Sequence, residues 1–388
     1  MVEIIEKSIP FRVSPEENCP ILLAQLPNQL RHQRFLYQVA DPDQKWVMVR
    51  PILEMVASRE GHFNRTKFLA FPEGSIPFRY KDEIVQLIDG RFPFNSVVIL
   101  GFEHIPFRQY WQLLTEYRTF NEEAYELVLN QRAAEAEDRP VNWCMIVVKD
   151  DTGRLHCYLE AKTHPFFGEE FLDEPRDLYR GRHIYLFRST FIPFNFIVLI
   201  CLDYIYRDLH SSNITTIIQR ANQMFLKERQ HLDLLFVIQS NPKPEHKVFQ
   251  DVVSGFYAER LIFTPGVKNA ISIFLNSSGE SVIQGLKSDA GTFGHSAIVI
   301  HKDHRLPLTS VAQYRTDDFN GEPVSRLRFG RETRLYFLDL SLFHQRDPRT
   351  SRLSIKILSI FCWDEGKWRR LEGEEIISGV RSSHELEP

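Results

Sequence analysis

The chain lacks the features that would fix its class at a glance. Its five cysteines, Cys19, Cys144, Cys157, Cys201 and Cys362, are scattered, odd in number and without a CxxC pair. That usage gives no zinc knuckle and no disulfide framework, and it reads as reduced thiols in a cytoplasmic protein. No run of Lys and Arg builds a basic face, and the formal net charge is −4, so nucleic acid is not the expected partner. The longest apolar stretch, "FIPFNFIVLICLDYIY" (191–206), is interrupted by Pro193, Asn195 and Asp203 and is too short to span a bilayer. The opening residues, "MVEIIEKSIPFRVSPEENCP", mix charged and apolar side chains, unlike a signal peptide. No membrane partner is expected. Internal repeats and low-complexity tracts are absent too.

What is present describes a globular protein. The 43% hydrophobic residues support a full core, and 25% charged residues argue against disorder. At 388 residues the chain is one large domain or two ordinary ones. Phe is abundant, at 30, which implies a thick aromatic core or a sizeable apolar interface. Short apolar runs read as strands covered on both faces. They are "WVMVRPIL" (46–53), "KFLAF" (67–71), "SVVILGF" (96–102), "WCMIVV" (143–148), "FIVLICLD" (196–203), "LDLLFVIQ" (232–239), "AISIFLN" (270–276), "SAIVIH" (296–301) and "TRLYFLDL" (333–340). Amphipathic spacing places helices over 82–89, 213–230 and 246–260. Alternation on this scale predicts α/β layers. Residues 110–140 read as an inserted helical element stopped by Asp138 and Pro140. The pattern divides the chain into an N-terminal extension (1–45), a main domain (46–342) and a C-terminal extension (343–388).

Three strand ends could carry chemistry. In "FLAFPEGSIPF" (68–78), Glu73 sits on a turn just past a buried strand, where ligands bind in α/β folds and where desolvation favours a general base. Taken alone it is better explained as a solvated turn residue. In "GRLHCYLEAKTHPFFGEEF" (153–171), "DDTGR" (150–154) signals a hairpin, Lys162 ends its second strand, and Glu169 and Glu170 follow. A lysine there could hold an oxyanion with one of these carboxylates orienting it, or it could be an ordinary strand end. In "VLICLDYIY" (198–206), Cys201 ends an apolar strand. A cysteine in such a strand is usually core, but one at its end can present a thiol to a cleft. Glu, Lys and Cys on successive strand ends form a base, oxyanion and nucleophile set.

This order resembles the nitrilase, or carbon–nitrogen hydrolase, superfamily. The residues that carry the likeness are "FPE" (71–73), "YLEAKTHPFFGEE" (158–170) and "LICLD" (199–203). "LNSSGE" (275–280) and "FGHSAIVIHKDHRLP" (293–307) add weaker matches, so the resemblance spans roughly residues 45 to 342 in the family's order. It implies a four-layer αββα sandwich carrying the helical insertion and both extensions. It also implies roles. Cys201 attacks an amide or nitrile carbon. Glu73 takes the thiol proton and later activates water. Lys162 and the Leu202 backbone N–H hold the oxyanion. Of the two glutamates, Glu170 fits the family's spacing better, though the doubling leaves Glu169 open. Asp203, Tyr204 and His164 are expected around the pocket. Neither metal nor cofactor is needed, since lysine and backbone supply the charge, and His301 and His304 in "HKDH" read as a turn.

After Ile-Cys-x-Asp the family continues to a Phe-Pro pair and an acidic residue, whereas this chain reads "YIYRDL" (204–209). That stretch shapes the pocket, so substrate class does not carry over. The expectation is a cysteine hydrolase cleaving a non-peptide C–N bond of a small molecule, an amide before a nitrile, through a thioester. A homodimer or larger homo-oligomer is expected. The alternative is a degenerate relative acting as a binding or assembly module, and a third reading is an unrelated α/β protein with a coincidental triad. The insertion could cap the pocket or extend an oligomer interface.

Overall fold

Parallel strands flanked by antiparallel ones form two large sheets in the computed structural model. It describes residues 2–13, 18–130, 132, 135–166, 169, 177–203, 232–242, 270–285, 293–301, 314–319, 322–340, 355–373 and 375. The strands of the first half are Glu3–Ile9 (β1), Cys19–Gln25 (β2), Gln29–Gln33 (β3), Leu36–Val39 (β4), Phe68–Ala70 (β5), Ser96–Gly101 (β6), Ile105–Pro106 (β7), Pro140–Val141 (β8), Trp143–Lys149 (β9) and Leu155–Ala161 (β10). Those of the second half are His183–Ser189 (β11), Asn195–Ile200 (β12), Leu234–Gln239 (β13), Ile271–Asn276 (β14), Val282–Ile283 (β15), Ala297–His301 (β16), Tyr314–Phe319 (β17), Glu322–Arg328 (β18), Arg334–Leu340 (β19), Ile355–Asp364 (β20) and Lys367–Arg370 (β21). The described helices are Pro42–Ser58 (α1), Lys81–Arg91 (α2), Phe107–Glu116 (α3) and Glu122–Leu129 (α4).

One sheet runs β10-β9-β6-β5-β2-β19-β20-β21, the other β1-β11-β12-β13-β14-β16-β18-β17. In the first, β2, β5 and β6 are mutually parallel; in the second, β12, β13 and β14 are. The helices α1 and α2 connect the first trio, as parallel strands require. The two sheets meet through aromatic side chains. Phe68 on β5 lies 5.2 Å from Phe196 on β12 and 5.1 Å from Phe236 on β13. Tyr158 on β10 lies 5.0 Å from Phe187 on β11. The aromatic core implied by the Phe count is this interface. Ile146 pairs directly with Tyr158 and shares its inward face. Lys149, three residues on and therefore outward, donates to the Ile88 carbonyl at the end of α2. The helices thus cover the outer face of the first sheet.

Residues 46–53 are helical and not a strand. Asp41 caps α1 by accepting from the Gln44 N–H at 2.9 Å, and Pro42 opens the helix, where its missing N–H costs nothing. Trp46, Val49, Ile52, Leu53 and Val56 then fall on one buried face at spacings of three and four. The other apolar runs form β5, β6, β9, β12, β13, β14, β16 and β19, and 82–89 lies within α2. The segments 213–230 and 246–260 lie outside the described residues. The stretches set apart as extensions supply strands to the same two sheets: β1 and β2 from the first 45 residues, β20 and β21 from the last. The buried run of β2, every residue of which is below the surface, was hidden by its Pro20 and Gln25.

The 110–140 segment contains the rest of α3, then α4 and a turn. Asn121, between the helices, covers the free edge of β10: its Nδ2 donates to the Cys157 carbonyl and its Oδ1 accepts from the Leu159 N–H, each at 2.8 Å. Exposed strand edges invite pairing, so this cover has a clear physical use. Among the described residues, no helix is long and apolar enough to cross a membrane.

Candidate active site

The parallel strands of both sheets end at one common edge, the position where α/β folds bind ligands. Glu73 stands three residues beyond β5, and Lys162 directly follows β10. Cys201 directly follows β12, and Ser240 follows β13. Because β9 runs antiparallel to β6, its start, preceded by Asn142, reaches this edge as well.

Lys162 is fully buried, and its ammonium sits between two carboxylates. Nζ lies 2.7 Å from Glu73 Oε1 and 2.8 Å from Glu169 Oε2. Burial alone would lower its pKa; the charges of Glu169 and Glu73 outweigh that and hold it well above the ordinary lysine value. Glu169 is lowered despite its burial, by Lys162 first and then by a hydrogen bond from His104. Two of the three ammonium N–H groups are thus committed to carboxylates among the described residues. Of the two adjacent glutamates it is Glu169 that makes the contact; Glu170, like Tyr204, lies outside the described residues.

Asn142 joins the two carboxylates. Its Nδ2 donates to Glu73 Oε1 at 2.7 Å and to Glu169 Oε1 at 2.6 Å. The Ser240 N–H donates to Glu73 Oε2 at 2.9 Å, across from the other sheet. Behind the turn, Asn28 Nδ2 donates to the Glu73 carbonyl at 2.7 Å, and Lys45 Nζ donates to the Pro27 carbonyl at 2.6 Å. Burial, with no carboxylate partner among the described residues, lowers Lys45 to about 7. Gly101 packs under the same turn: a Cβ there would fall 2.1 Å from the Pro72 carbonyl oxygen.

Cys201 has a φ of 48°, a left-handed backbone at a non-glycine residue, which costs on the order of 1–3 kcal/mol and marks a sharp turn off the strand. The residue is 7% exposed. Burial raises its thiol pKa well above the usual cysteine value; Glu73 adds to the rise and Lys162 opposes it, so all three groups act on one another. The shift favours the neutral thiol over the thiolate. Asp203, two residues on, reaches the turn after Lys162, and His164 Nδ1 lies 2.7 Å from Thr163 Oγ1 on that turn. Leu202 places its backbone directly after the thiol.

A cavity enclosing about 310 Å³ of space, open solvent included, adjoins this cluster. Its polar floor includes Glu73, Glu169 and His104; Leu30, Tyr37 and Ile283 form an apolar wall. Cys201 is not part of that lining. The wall belongs to the β3–β4 hairpin and β15, and the hairpin closes through Arg34 and Phe35, both at positive φ, in a two-residue turn. Neither α3 nor α4 lines the cavity, so the expectation that 110–140 caps the pocket is not met by its described residues.

His104, Asn142 and the Ser240 N–H were not foreseen. The available signal was position: the first two stand just after β6 and just before β9, at the edge already marked by Glu73. Among the described residues, no His, Cys, Asp and Glu cluster suited to a metal ion is present.

No protein-family model matches the sequence, and no curated protein matches it. Among solved structures, a carbon-nitrogen hydrolase from Helicobacter pylori G27 is similar at a TM-score of 0.43 and 13% identity, over 81% of this chain and 90% of that one. A likeness at that level carries no argument about the site, which stands on its own geometry.

Proposed function

We propose that the chain is a cysteine-dependent hydrolase that cleaves a non-peptide C–N bond of a small molecule, an amide in preference to a nitrile. The observation that carries the reading is one buried ammonium, Lys162, held between Glu73 and Glu169 at 2.7 and 2.8 Å, with the buried thiol of Cys201 close enough for Glu73 and Lys162 to act on it electrostatically. A core cysteine needs no such neighbours, and burying two carboxylates with one lysine is costly unless the cluster is used.

In this reading Glu73 accepts the thiol proton as sulfur bonds to the carbonyl carbon. The resulting oxyanion takes the third N–H of Lys162 and the Leu202 N–H. Glu73 then returns the proton to the leaving nitrogen as the C–N bond breaks, leaving a thioester. Glu73 next removes a proton from water, which attacks the thioester; the acid leaves and the proton returns to sulfur. Glu169 keeps Lys162 in place. The wider reading includes the four-layer αββα arrangement, a cytoplasmic setting and a homo-oligomer, the last testable by analytical ultracentrifugation.

The test is intact mass after incubation with iodoacetamide, and ammonia release from a panel of small amides, for the wild type and Cys201→Ala. Single labelling at Cys201 and turnover lost in the variant support the hydrolase. An unreactive Cys201 and no acyl adduct would leave the degenerate binding module as the better reading.

A further inference from the structure

The two carboxylates on Lys162 are chemically alike, yet their donors differ. Glu169 Oε1 accepts from Asn142 Nδ2 at 2.6 Å and His104 Nε2 at 3.0 Å; Oε2 accepts from Lys162 at 2.8 Å and the Phe166 N–H at 3.0 Å. Glu73 Oε1 accepts from Lys162 and Asn142, each at 2.7 Å, while Oε2 has one donor among the described residues, the Ser240 N–H. Lys162 and Asn142 serve both groups equally and cannot tell them apart. Two carboxylates around one ammonium share a proton readily, so something must decide which of them stays ionised.

We infer that His104 is a positioning residue that keeps Glu169 an anion, so that Glu73 is the carboxylate that exchanges a proton with Cys201. The inference rests on the hydrolase reading above. A carboxylate only accepts, so the hydrogen of this contact is on His104 Nε2. The ring is fixed for the task. Its edge meets Tyr37 at 5.3 Å and 89°, and the backbone N–H of His104 donates to the Tyr37 carbonyl at 3.0 Å. The preceding residue, Glu103, anchors the same corner through the Val39 N–H at 2.6 Å and the Phe78 N–H at 2.7 Å. His104 is 4% exposed, and its Nδ1 has no partner among the described residues, so Nε2 is its one hydrogen bond to a side chain there.

The groups whose charge or titration bears on Glu169 are Lys162, His104, Tyr37 and Cys201, together with Glu73 on the far side of Lys162. Those that bear on His104 are Glu169, Glu103 and His32. Removing the His104 donor destabilises ionised Glu169, which then takes up a proton at higher pH. The acid limb of any reaction at Cys201 should move up with it.

The experiment is the pH dependence of Cys201 alkylation by iodoacetamide, read by intact mass, which needs no substrate. In His104→Leu the midpoint of the acid limb should rise by about one pH unit, the scale of a lost hydrogen bond to a charged group. His104→Gln, whose amide can still donate, should bring the limb back toward the wild-type position. In a Glu169→Gln background, His104→Leu should add no shift. His104→Met, flexible enough for an irregular core, serves if the leucine variant does not fold. A uniform loss at every pH without a shift, or an equal shift in both backgrounds, would overturn the inference and leave the hydrolase standing. A wild-type Cys201 that is never alkylated would remove the hydrolase reading, and this inference with it.

Discussion

Asp203 Oδ1 takes two hydrogen bonds from Thr163, one from its N–H and one from its hydroxyl, both at 2.8 Å. The same oxygen accepts from the His164 N–H at 2.9 Å. The residue two beyond the thiol thus holds the two residues after the lysine, and the elements carrying Cys201 and Lys162 are tied at their tips. Replacing Asp203 by alanine removes the acceptor shared by the Thr163 and His164 backbone N–H groups, which should cost about 1–3 kcal/mol in urea denaturation. Alkylation of Cys201 should slow as well. Asn, whose amide oxygen still accepts, should cost less. An alanine variant as stable as the wild type would mean that the clamp contributes nothing.

Lys162→Met should abolish turnover and destabilise the protein by about 3–5 kcal/mol at pH 7.5, because Glu73 and Glu169 would be buried without their cation. The sign with pH follows from Glu169. In the wild type its folded pKa is depressed, so its contribution is present above the unfolded carboxyl value and fades as pH falls through the folded one. In the variant the cation is gone and ionisation becomes unfavourable. The deficit should therefore be largest near neutral pH and shrink as pH falls through the unfolded carboxyl value, at pH ~4, toward the depressed folded one. A deficit independent of pH would show that Lys162 matters only for packing.

Glu160 is the opposite case. It lies 2% exposed on β10, accepts from the Tyr185 N–H at 2.6 Å and has no cation beside it among the described residues, so burial raises its pKa well above the usual carboxyl range. A raised folded value favours the fold below the unfolded pKa and loses that contribution as pH rises. Glu160→Gln keeps an acceptor for Tyr185 and does not titrate. Its stability should match the wild type near pH 4 and exceed it by about 1–3 kcal/mol at pH 8. Thermal unfolding at the two pH values measures the difference.

Gly101→Ala should damage the site from a distance. Its Cβ would fall 2.1 Å from the Pro72 carbonyl oxygen and 2.7 Å from the Glu73 Cα, both backbone atoms that cannot rotate away. The turn carrying Glu73 must shift. Overpacking of this kind costs about 1–3 kcal/mol. Turnover should fall by more than that stability loss explains, because a base misplaced by about 1 Å can cost on the order of a hundredfold. Retained activity would place the catalytic base elsewhere.

Part of this was legible in the sequence. Glu73 and Cys201 each stand where an apolar run stops, an apolar run being a sign of a buried strand, and Lys162 ends a strand marked by the hairpin turn at 150–154. The segment 46–53 shows the limit of that rule, since "WVMVRPIL" is as apolar as the strands. Only Asp41 and Pro42 ahead of it, and the spacing of Trp46, Val49, Ile52 and Val56, mark it as α1. His104 and Asn142 were invisible for a different reason. Each looks like a solvated loop residue until the strand order puts the end of β6 and the start of β9 beside the end of β5. The Ser240 contact is made by a backbone N–H, which every residue but proline carries, so no sequence could have advertised it.

Glu73 and Lys162 follow strands of one sheet, and Cys201 and Ser240 follow strands of the other. The site is therefore a property of the docked pair and of neither half. A chain with both sheets formed but slid past one another would keep its strand content, its hydrophobic pattern and every polar side chain, and would lose the meeting of Cys201 with Glu73 and Lys162. Under the proposed hydrolase reading, turnover is a finer gauge of the native state than circular dichroism, and on refolding it should be the last signal to return.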